Sequence, residues 1–485
     1  MIYLKTDEPQ FYNELCDEIR LFIEATRIEK AETAMADGTT VCHCFFEEAG
    51  SWHDRCTVAD NGVEKNVYTY SYPVVLGDEL EVKKMRIRGA KLAVFFCLRA
   101  YTGLRKPWGA LTGIRPTKLY RQTAARQGRE AAEKLFLKEF CVDEKKLGLT
   151  RKICAVQQPF IDSVDEDVDV YIGIPFCVTK CSYCSFSSGL VTGDGRLERS
   201  YVDALEREIA ETRHLLAGKA PRCVYVGGGT PTALRPDQLE RVVRAAASFG
   251  GRELTVEAGR PDTIDREKLS ILKENGVSRI SINAQTTSDA TLEKIGRQHT
   301  REDFIRAFEM ARFFGFDVIN TDVIIGLPDE SPEDFSATLH DVIALDPANI
   351  TVHTLAIKRA SKFGMENAKG FMSSVDAEQT VEAAELDLMG HGYRPYYMYR
   401  QKYMTGNLEN VGFALPGTEC VYNIDIMEET ASILAYGAGG MSKRLFGERN
   451  RIERSPNVKN IEQYISRTEE MAARKLRLFG DPGDC

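Results

Sequence analysis

The chain has 485 residues, 43% of them hydrophobic and 28% charged. This is enough apolar material for complete cores over about three domains, and it excludes a disordered or collagen-like chain. Lys plus Arg number 63 against 72 Asp plus Glu, a formal charge of −9, which argues against a surface that binds polyanions generally while leaving room for a local basic site.

The opening MIYLKTDEPQ has no secretory pattern, and no apolar run approaches the ~20 residues of a membrane span. A cytoplasmic chain without a membrane partner is therefore expected, with its thirteen cysteines acting as reduced thiols or ligands rather than as a disulfide framework.

Residues 1–165 read as an α+β domain. TVCHCFFEE and VYTYSYPVVL alternate like antiparallel strands, and a helical pattern runs from about Asp78 to Tyr101. In TVCHCFFEE the alternation puts Cys42 and Cys44 on one face and His43 on the other, which disfavours a metal site. Residues 83–129 hold thirteen Lys or Arg and no Asp or Glu. Such a concentration reads as a solvated face, a polycarboxylate site or an RNA phosphate site. Arg105 and Arg115 flank Trp108 there, and with Tyr120 nearby the mixture would also suit stacking of single-stranded bases. The acidic overall charge and the lack of any RNA-binding motif make nucleic acid the weaker expectation.

Residues 166–388 alternate β-branched runs with amphipathic segments. Six strands are predicted to begin near Val168, Cys223, Leu254, Arg279, Val318 and Ile350. Sequential right-handed units would wrap them into a laterally open, partial (β/α)6 barrel, with a doubly wound open sheet as the competing α/β architecture. Residues 389–485 form a C-terminal extension with a final helix through NIEQYISRTEEMAARKLR. Its YRPYYMYRQKYM stretch gathers Tyr393, Tyr396, Tyr397, Tyr399 and Tyr403 with Arg394, Arg400 and Lys402, and is predicted to cover the barrel mouth.

Cys177, Cys181 and Cys184 stand as C-x3-C-x2-C directly after the first barrel strand, whereas the other ten cysteines are scattered, Cys485 among them in the terminal GDPGDC. Three thiolates on one loop at a strand's C-terminal end suit a soft metal centre. Structural zinc takes four protein ligands, and no fourth Cys or His follows within a dozen residues. A cubane with one open iron fits better. The next strand runs into Gly227, Gly228, Gly229, Thr230 and Pro231, where a ligand can approach the backbone. Glu257, Gln285 and Asp322 recur at later strand ends, with Arg297 beyond the fourth.

C-x3-C-x2-C with Tyr183 before the last cysteine, followed by GGGTP, resembles the radical S-adenosylmethionine superfamily. YIGIPFC, YVGGGTPT, SINAQT, IGRQHT and NTDVIIGLP are similar to the oxygen-independent coproporphyrinogen III oxidase family, and LTGIRPTKLY and MYRQKYMTGNLENVGFALPG to its HemZ branch. The resemblance implies that Cys177, Cys181 and Cys184 ligate a [4Fe-4S] cluster whose open iron takes S-adenosylmethionine. It places Tyr171 near the first ligand, Gly228, Gly229, Thr230 and Glu257 at the methionine amine, Gln285 and Asp322 at the ribose, and Arg297 at the carboxylate.

It implies a radical SAM oxidoreductase that turns coproporphyrinogen III propionates into vinyl groups, giving protoporphyrinogen IX in haem biosynthesis, with a flavodoxin or ferredoxin as electron donor. No protein acid or base is expected at the carbon centre. Four propionates call for cationic partners, with Arg105, Arg115, Tyr399 and Arg400 as the candidates. A haem-binding chaperone, or a radical enzyme acting on haem itself, would share most of these residues. Two departures stand out. Phe186 occupies a position where the best-known bacterial oxidase has a further Cys, and CVYNIDIM lacks the His and Trp of that family's HN-x2-YW element.

Overall fold

The structure is a computed structural model and describes residues 1–23, 27–113, 115–161, 167–216, 218, 220–358, 360–366, 369–401, 404–446 and 451–480. Lys402, Tyr403 and Cys485 lie outside the described residues. The chain divides into one unit of Met1–Arg151 with Gly406–Leu408 and a second of Lys152–Thr405 with Glu409–Cys485. The first boundary thus falls before residue 165, and the C-terminal extension belongs to the same unit as the barrel. Among the described residues no helix is long and apolar enough to cross a membrane.

In the first unit β1 (Ile2–Thr6), β2 (Glu29–Lys30), β3 (Thr39–Glu48), β4 (Ser51–Asp60) and β5 (Val63–Pro73) form one sheet in the order β2-β1-β3-β4-β5. Periodicity missed β4 because one of its buried positions is Asp54, whose carboxylate receives Tyr72 Oη at 2.7 Å and lies 2.8 Å from His43 Nε2. With Thr6 Oγ1 at 3.0 Å from its Nδ1, His43 is occupied on both ring nitrogens, so CHCFF is a sheet element.

The helix Glu79–Thr102 packs on this sheet. Asp78 caps it by accepting from the Glu81 amide at 2.8 Å, and Gly103, at φ 70°, ends it in the left-handed conformation. Several cations of the basic segment are answered within the unit: Arg86 pairs with Glu8 and covers the Phe45 ring, Lys91 pairs with Glu18 at 3.1 Å, and Arg129 with Glu133 at 2.8 Å. Trp108 and Tyr120 are buried, so neither offers a face for base stacking.

The second unit contains β6 (Val168–Ile174), β7 (Phe176–Cys177), β8 (Gly189–Leu190), β9 (Cys223–Gly228), β10 (Glu253–Glu257), β11 (Arg279–Ser281), β12 (Val318–Ile325), β13 (Asn349–Thr354), β14 (Arg394–Tyr399), β15 (Asn410–Ala414), β16 (Ser432–Tyr436), β17 (Met441–Phe446) and β18 (Arg451–Pro456). Strands β6, β9, β10, β11, β12 and β13 are parallel neighbours in sequence order. A doubly wound sheet would reverse its order at a switch point. None occurs among these six strands, and the partial barrel is the architecture.

The strands are buried on both faces, as parallel strands under crossover helices are: Val170, Ile172, Val224 and Val226 pack on one side, while Tyr171, Tyr225 and Glu257 face the other. The described part of the extension lengthens the sheet at both edges and supplies residues such as Tyr399 and Tyr422 to the cleft described below. β15 pairs antiparallel with β13 and carries β14, and β16 pairs parallel with β6 and carries β17 and β18. Tyr393, Tyr396 and Tyr397 are consequently buried. The helix Val421–Glu428 packs Tyr422 and Ile424 into a core shared with Cys223, Tyr396, Tyr397 and Ala414. The expected final helix is two, Ile461–Ser466 and Thr468–Phe479.

Candidate functional site

A cleft of about 700 Å³ lies in the second unit, lined by the cysteine loop and by residues at the C-terminal ends of the parallel strands. Right after β6 the chain is tied into β7: the Gly229 amide donates to Ile174 O at 2.8 Å and the Thr230 amide to Phe176 O at 2.7 Å. This approach leaves no room for a side chain. A Cβ at Gly229 would stand 2.6 Å from Phe176 O and 3.0 Å from Cys177 Sγ, and Gly228 holds φ 115°. Further along the loop, the Ser182 amide donates to Ile295 O at 2.9 Å and the Thr179 hydroxyl to Gly296 O at 2.9 Å.

Cys177, Cys181 and Cys184 all line the cleft, and the Thr230 hydroxyl donates to Cys177 Sγ at 3.6 Å. Among the described residues the one group of metal-ligating atoms closing to within 4.8 Å is Asp169, Cys223 and Asp425. The three loop cysteines therefore do not converge on a single ion, and the soft donor set fits a larger cluster. The buried trio is another matter. Arg222 already supplies the positive charge, 3.4 Å from Asp425, while burial raises Asp169 and keeps the Cys223 thiol protonated.

Glu257 accepts from Tyr225 Oη at 2.6 Å and from the Gly228 amide at 3.1 Å. Burial nevertheless raises its carboxyl to about 7, helped by nearby Asp322. Burial pushes Asp322 up as well, but there His353 at 3.6 Å, Asn320 and Thr351 outweigh it and hold the group below the usual carboxylate range. Arg297 donates to Asn283 O at 3.0 Å and Gly259 O at 3.3 Å. Its Nε, together with Ser281 Oγ and Asn283 Oδ1, is buried with no hydrogen-bond partner among the described residues. Unpaired polar atoms on a cleft wall call for a polar ligand to complete them.

The structure brings Tyr171, Gly228, Gly229, Thr230, Glu257, Gln285, Arg297 and Asp322 into this one cleft, and Tyr399 with them. Tyr171 stacks with Tyr225 at 6.3 Å and with Tyr422 at 6.1 Å. Arg400 is buried and is not among the lining residues, because it follows the end of β14 one residue beyond Tyr399 and strand alternation turns it to the other side. Arg105 and Arg115 belong to the first unit and are not among them either.

Sequence reasoning missed Ser281, Asn283, Asn320, Thr351 and His353; the first three precede Gln285 and Asp322 at two-residue spacing, which carries a signal, while on β13 no neighbouring residue marked Thr351 or His353. Tyr225 was legible in the same way, two residues before the glycine run. Tyr422 and Asn423 reach the cleft from a helix far along the chain, and no local pattern marks them.

Residues 171–342 match the model of the radical SAM superfamily. The oxygen-independent coproporphyrinogen-III oxidase-like protein HemZ of Bacillus subtilis (strain 168) is 39% identical over 392 residues, covering 78% of each chain. The heme chaperone HemW of the same organism is 32% identical over 279 residues, 56% of this chain and 69% of its own. Among solved structures, the coproporphyrinogen III oxidase HemN of Escherichia coli, a radical SAM enzyme, superposes with a TM-score of 0.53 at 23% identity, covering 66% of this chain and 73% of that one. That last likeness is one of fold.

Proposed function

Because the chain belongs to the radical SAM superfamily, in the family of oxygen-independent coproporphyrinogen III oxidase-like proteins, we propose that it oxidatively decarboxylates propionate side chains of a coproporphyrinogen-class tetrapyrrole to vinyl groups. Members of this superfamily use a [4Fe-4S] cluster and S-adenosylmethionine. The observation that carries the reading is the continuity of one cleft from the three cysteines, past the polar groups of Glu257, Gln285, Asp322 and Arg297, to an aromatic wall of Tyr397 and Tyr399 stacked at 6.4 Å, with Lys180 and Lys358 also in the lining.

Cys177, Cys181 and Cys184 would hold the cluster, Glu257 and the Gly228–Gly229 backbone the methionine end, Gln285 and Asp322 the ribose, and Arg297 the carboxylate. When bound, the cluster and S-adenosylmethionine would supply one-electron radical chemistry capable of hydrogen-atom abstraction, given a ferredoxin- or flavodoxin-class electron donor. The chain's own part is to orient and exclude water. The tyrosine wall offers a flat surface to a macrocycle, and the lysines offer cations to its carboxylates. Each propionate would give up one hydrogen atom to the bound cofactor, one electron to an external one-electron acceptor, and carbon dioxide, leaving a vinyl group.

Anaerobic incubation of the reconstituted protein with S-adenosylmethionine, reductant and coproporphyrinogen, followed by mass analysis, is expected to yield the divinyl product. The second reading, a haem chaperone, draws on the likeness to HemW. Unchanged tetrapyrrole together with tight retention of haem would favour it and overturn the oxidase.

Arg297→Ala is expected to weaken S-adenosylmethionine binding by about 1.5–3 kcal/mol, the range for a hydrogen bond to a charged group, while iron content stays unchanged. Unaltered affinity in anaerobic calorimetry would remove Arg297 from the cofactor shell.

Glu257 adds a pH dependence. Its folded value, about 7, lies above the ordinary 4.5, so in the ligand-free protein its stabilising contribution is complete below pH 4.5 and is lost as pH rises through about 7. Binding of an ammonium-bearing ligand has the opposite slope, because it favours the ionised carboxylate. S-adenosylmethionine affinity is expected to rise with pH through about 7 in the wild type and to lose that step in Glu257→Gln; coincident pH profiles would rule the role out.

A further inference from the structure

Arg260 lies just beyond β10, is 3% exposed, and takes no part in the cofactor shell set out above. Each of its three guanidinium nitrogens nevertheless donates a hydrogen bond. Nε donates to Asp262 Oδ1 at 3.0 Å and one terminal nitrogen to Asp262 Oδ2 at 2.7 Å, a two-pronged grip on that carboxylate. The other terminal nitrogen donates to the Thr179 hydroxyl at 2.8 Å, to Thr179 O at 3.3 Å, and to Cys181 Sγ at 3.9 Å. A permanent cation is thus aimed at the sulfur of the middle cysteine, on the residue two before it, and its orientation is locked from behind by an acid.

We propose that Arg260 is a positioning and tuning residue for the cluster: through Thr179 it fixes the loop, and through Cys181 Sγ it raises the reduction potential. The inference rests on the reading that Cys177, Cys181 and Cys184 hold the cluster. Thiolate ligands concentrate negative charge, and adding an electron to the cluster adds more. A buried guanidinium at the sulfur stabilises the reduced state more than the oxidised one, because little solvent intervenes to screen it. Hydrogen bonds to ligand sulfurs act in the same direction, and residues behind the ligands set a metal site's properties as much as the ligands do.

Asp262 works against this. Its carboxylate offsets part of the cationic field while holding the side chain in place, and the Arg260 fork holds the Asp262 carboxyl below its usual range against the opposing effect of burial. Removing the arginine and removing its counter-ion should therefore move the potential in opposite directions, which a purely structural clamp would not do. An arginine held only to brace the loop would instead lose iron in both variants.

The test is an EPR-monitored redox titration of the reconstituted full chain, with iron content determined in every sample. Arg260→Gln is expected to lower the equilibrium constant for one-electron reduction at least tenfold, a downward shift of about 59 mV. Arg260→Lys should recover part of that loss, and Asp262→Asn, in which Arg260 remains, should shift the potential upward. Iron content near the wild-type value in Arg260→Lys and Asp262→Asn shows that the loop survives.

An unchanged potential in Arg260→Gln overturns the proposal, as does a downward shift in Asp262→Asn or loss of iron in all three variants, which would make the clamp structural only. A wild-type protein with no cluster signal after reconstitution would overturn the cluster assignment itself, an outcome distinct from a normal signal that ignores Arg260.

Discussion

Replacing Cys177, Cys181 and Cys184 together by Ala is expected to abolish iron binding and the broad absorption near about 400 nm expected of roughly four irons per chain. The three side chains share one cleft, and their loop is tied to β9 through Phe176 O and to the segment after β11 through Ser182 and Thr179. These ties run mostly through backbone atoms, so the loop should keep its path when the sulfurs are gone. The folded content by circular dichroism should then match the wild type while iron falls to background. Burial raises the Cys184 thiol, so without metal it stays protonated; metal binding must displace its proton and is expected to weaken as pH falls. Iron and colour persisting in the triple variant would move the centre elsewhere and end the radical SAM reading of this loop.

The largest expected effect on stability comes from Glu208, in the same unit. It lies on the helix Arg196–Thr212, which follows the cysteine loop, and is fully buried. One carboxylate oxygen accepts from the Gly437 amide at 2.9 Å and Tyr464 Oη at 2.6 Å; the other accepts from Asn457 Nδ2 at 2.8 Å and pairs with Lys475, which is equally buried. These partners all belong to the C-terminal extension, so one side chain joins the extension to the first barrel helix.

Glu208→Gln leaves the Lys475 ammonium buried without its counter-charge, and breaking a buried pair in this way costs about 3–5 kcal/mol. Denaturant unfolding of the full chain should show that loss. The double variant Glu208→Gln with Lys475→Met should lose less than the sum of the single changes, because no charge is left stranded. A loss below about 1 kcal/mol, within the range of a solvent-exposed pair, or strict additivity of the two changes would refute the coupling.

The cysteine loop was legible because its pattern is local: three cysteines within eight residues, on a loop that the preceding strand predicts. The glycine run was legible for the same reason, and the close approach of Gly229 to Phe176 O explains why no side chain stands there. All six parallel strands begin within one residue of their expected starts, since two-sided burial writes a continuous β-branched run into the sequence. Their sequential order, which separates a partial barrel from a doubly wound sheet, is not a local property. It appeared only in the pairing of β6 with β9 and of each later strand with the next.

The extension shows the limit most plainly. Its tyrosines were visible as a cluster, yet the sequence could not say that β14 joins the sheet through β15, which buries Tyr396 away from the cleft and sets Tyr397 and Tyr399 on its wall. Tyr422 stacks on Tyr225 at 4.4 Å across nearly 200 intervening residues, and Arg260 reaches Thr179 and Cys181 across about 80. What the sequence determined by itself was the set of candidate ligands and the elements carrying them, because periodicity and spacing act within a few residues. Which distant side chains complete the cleft and brace the loop was decided by tertiary pairing, because contacts between residues far apart in the chain are selected by packing and charge in the folded molecule and leave no repeat along the sequence.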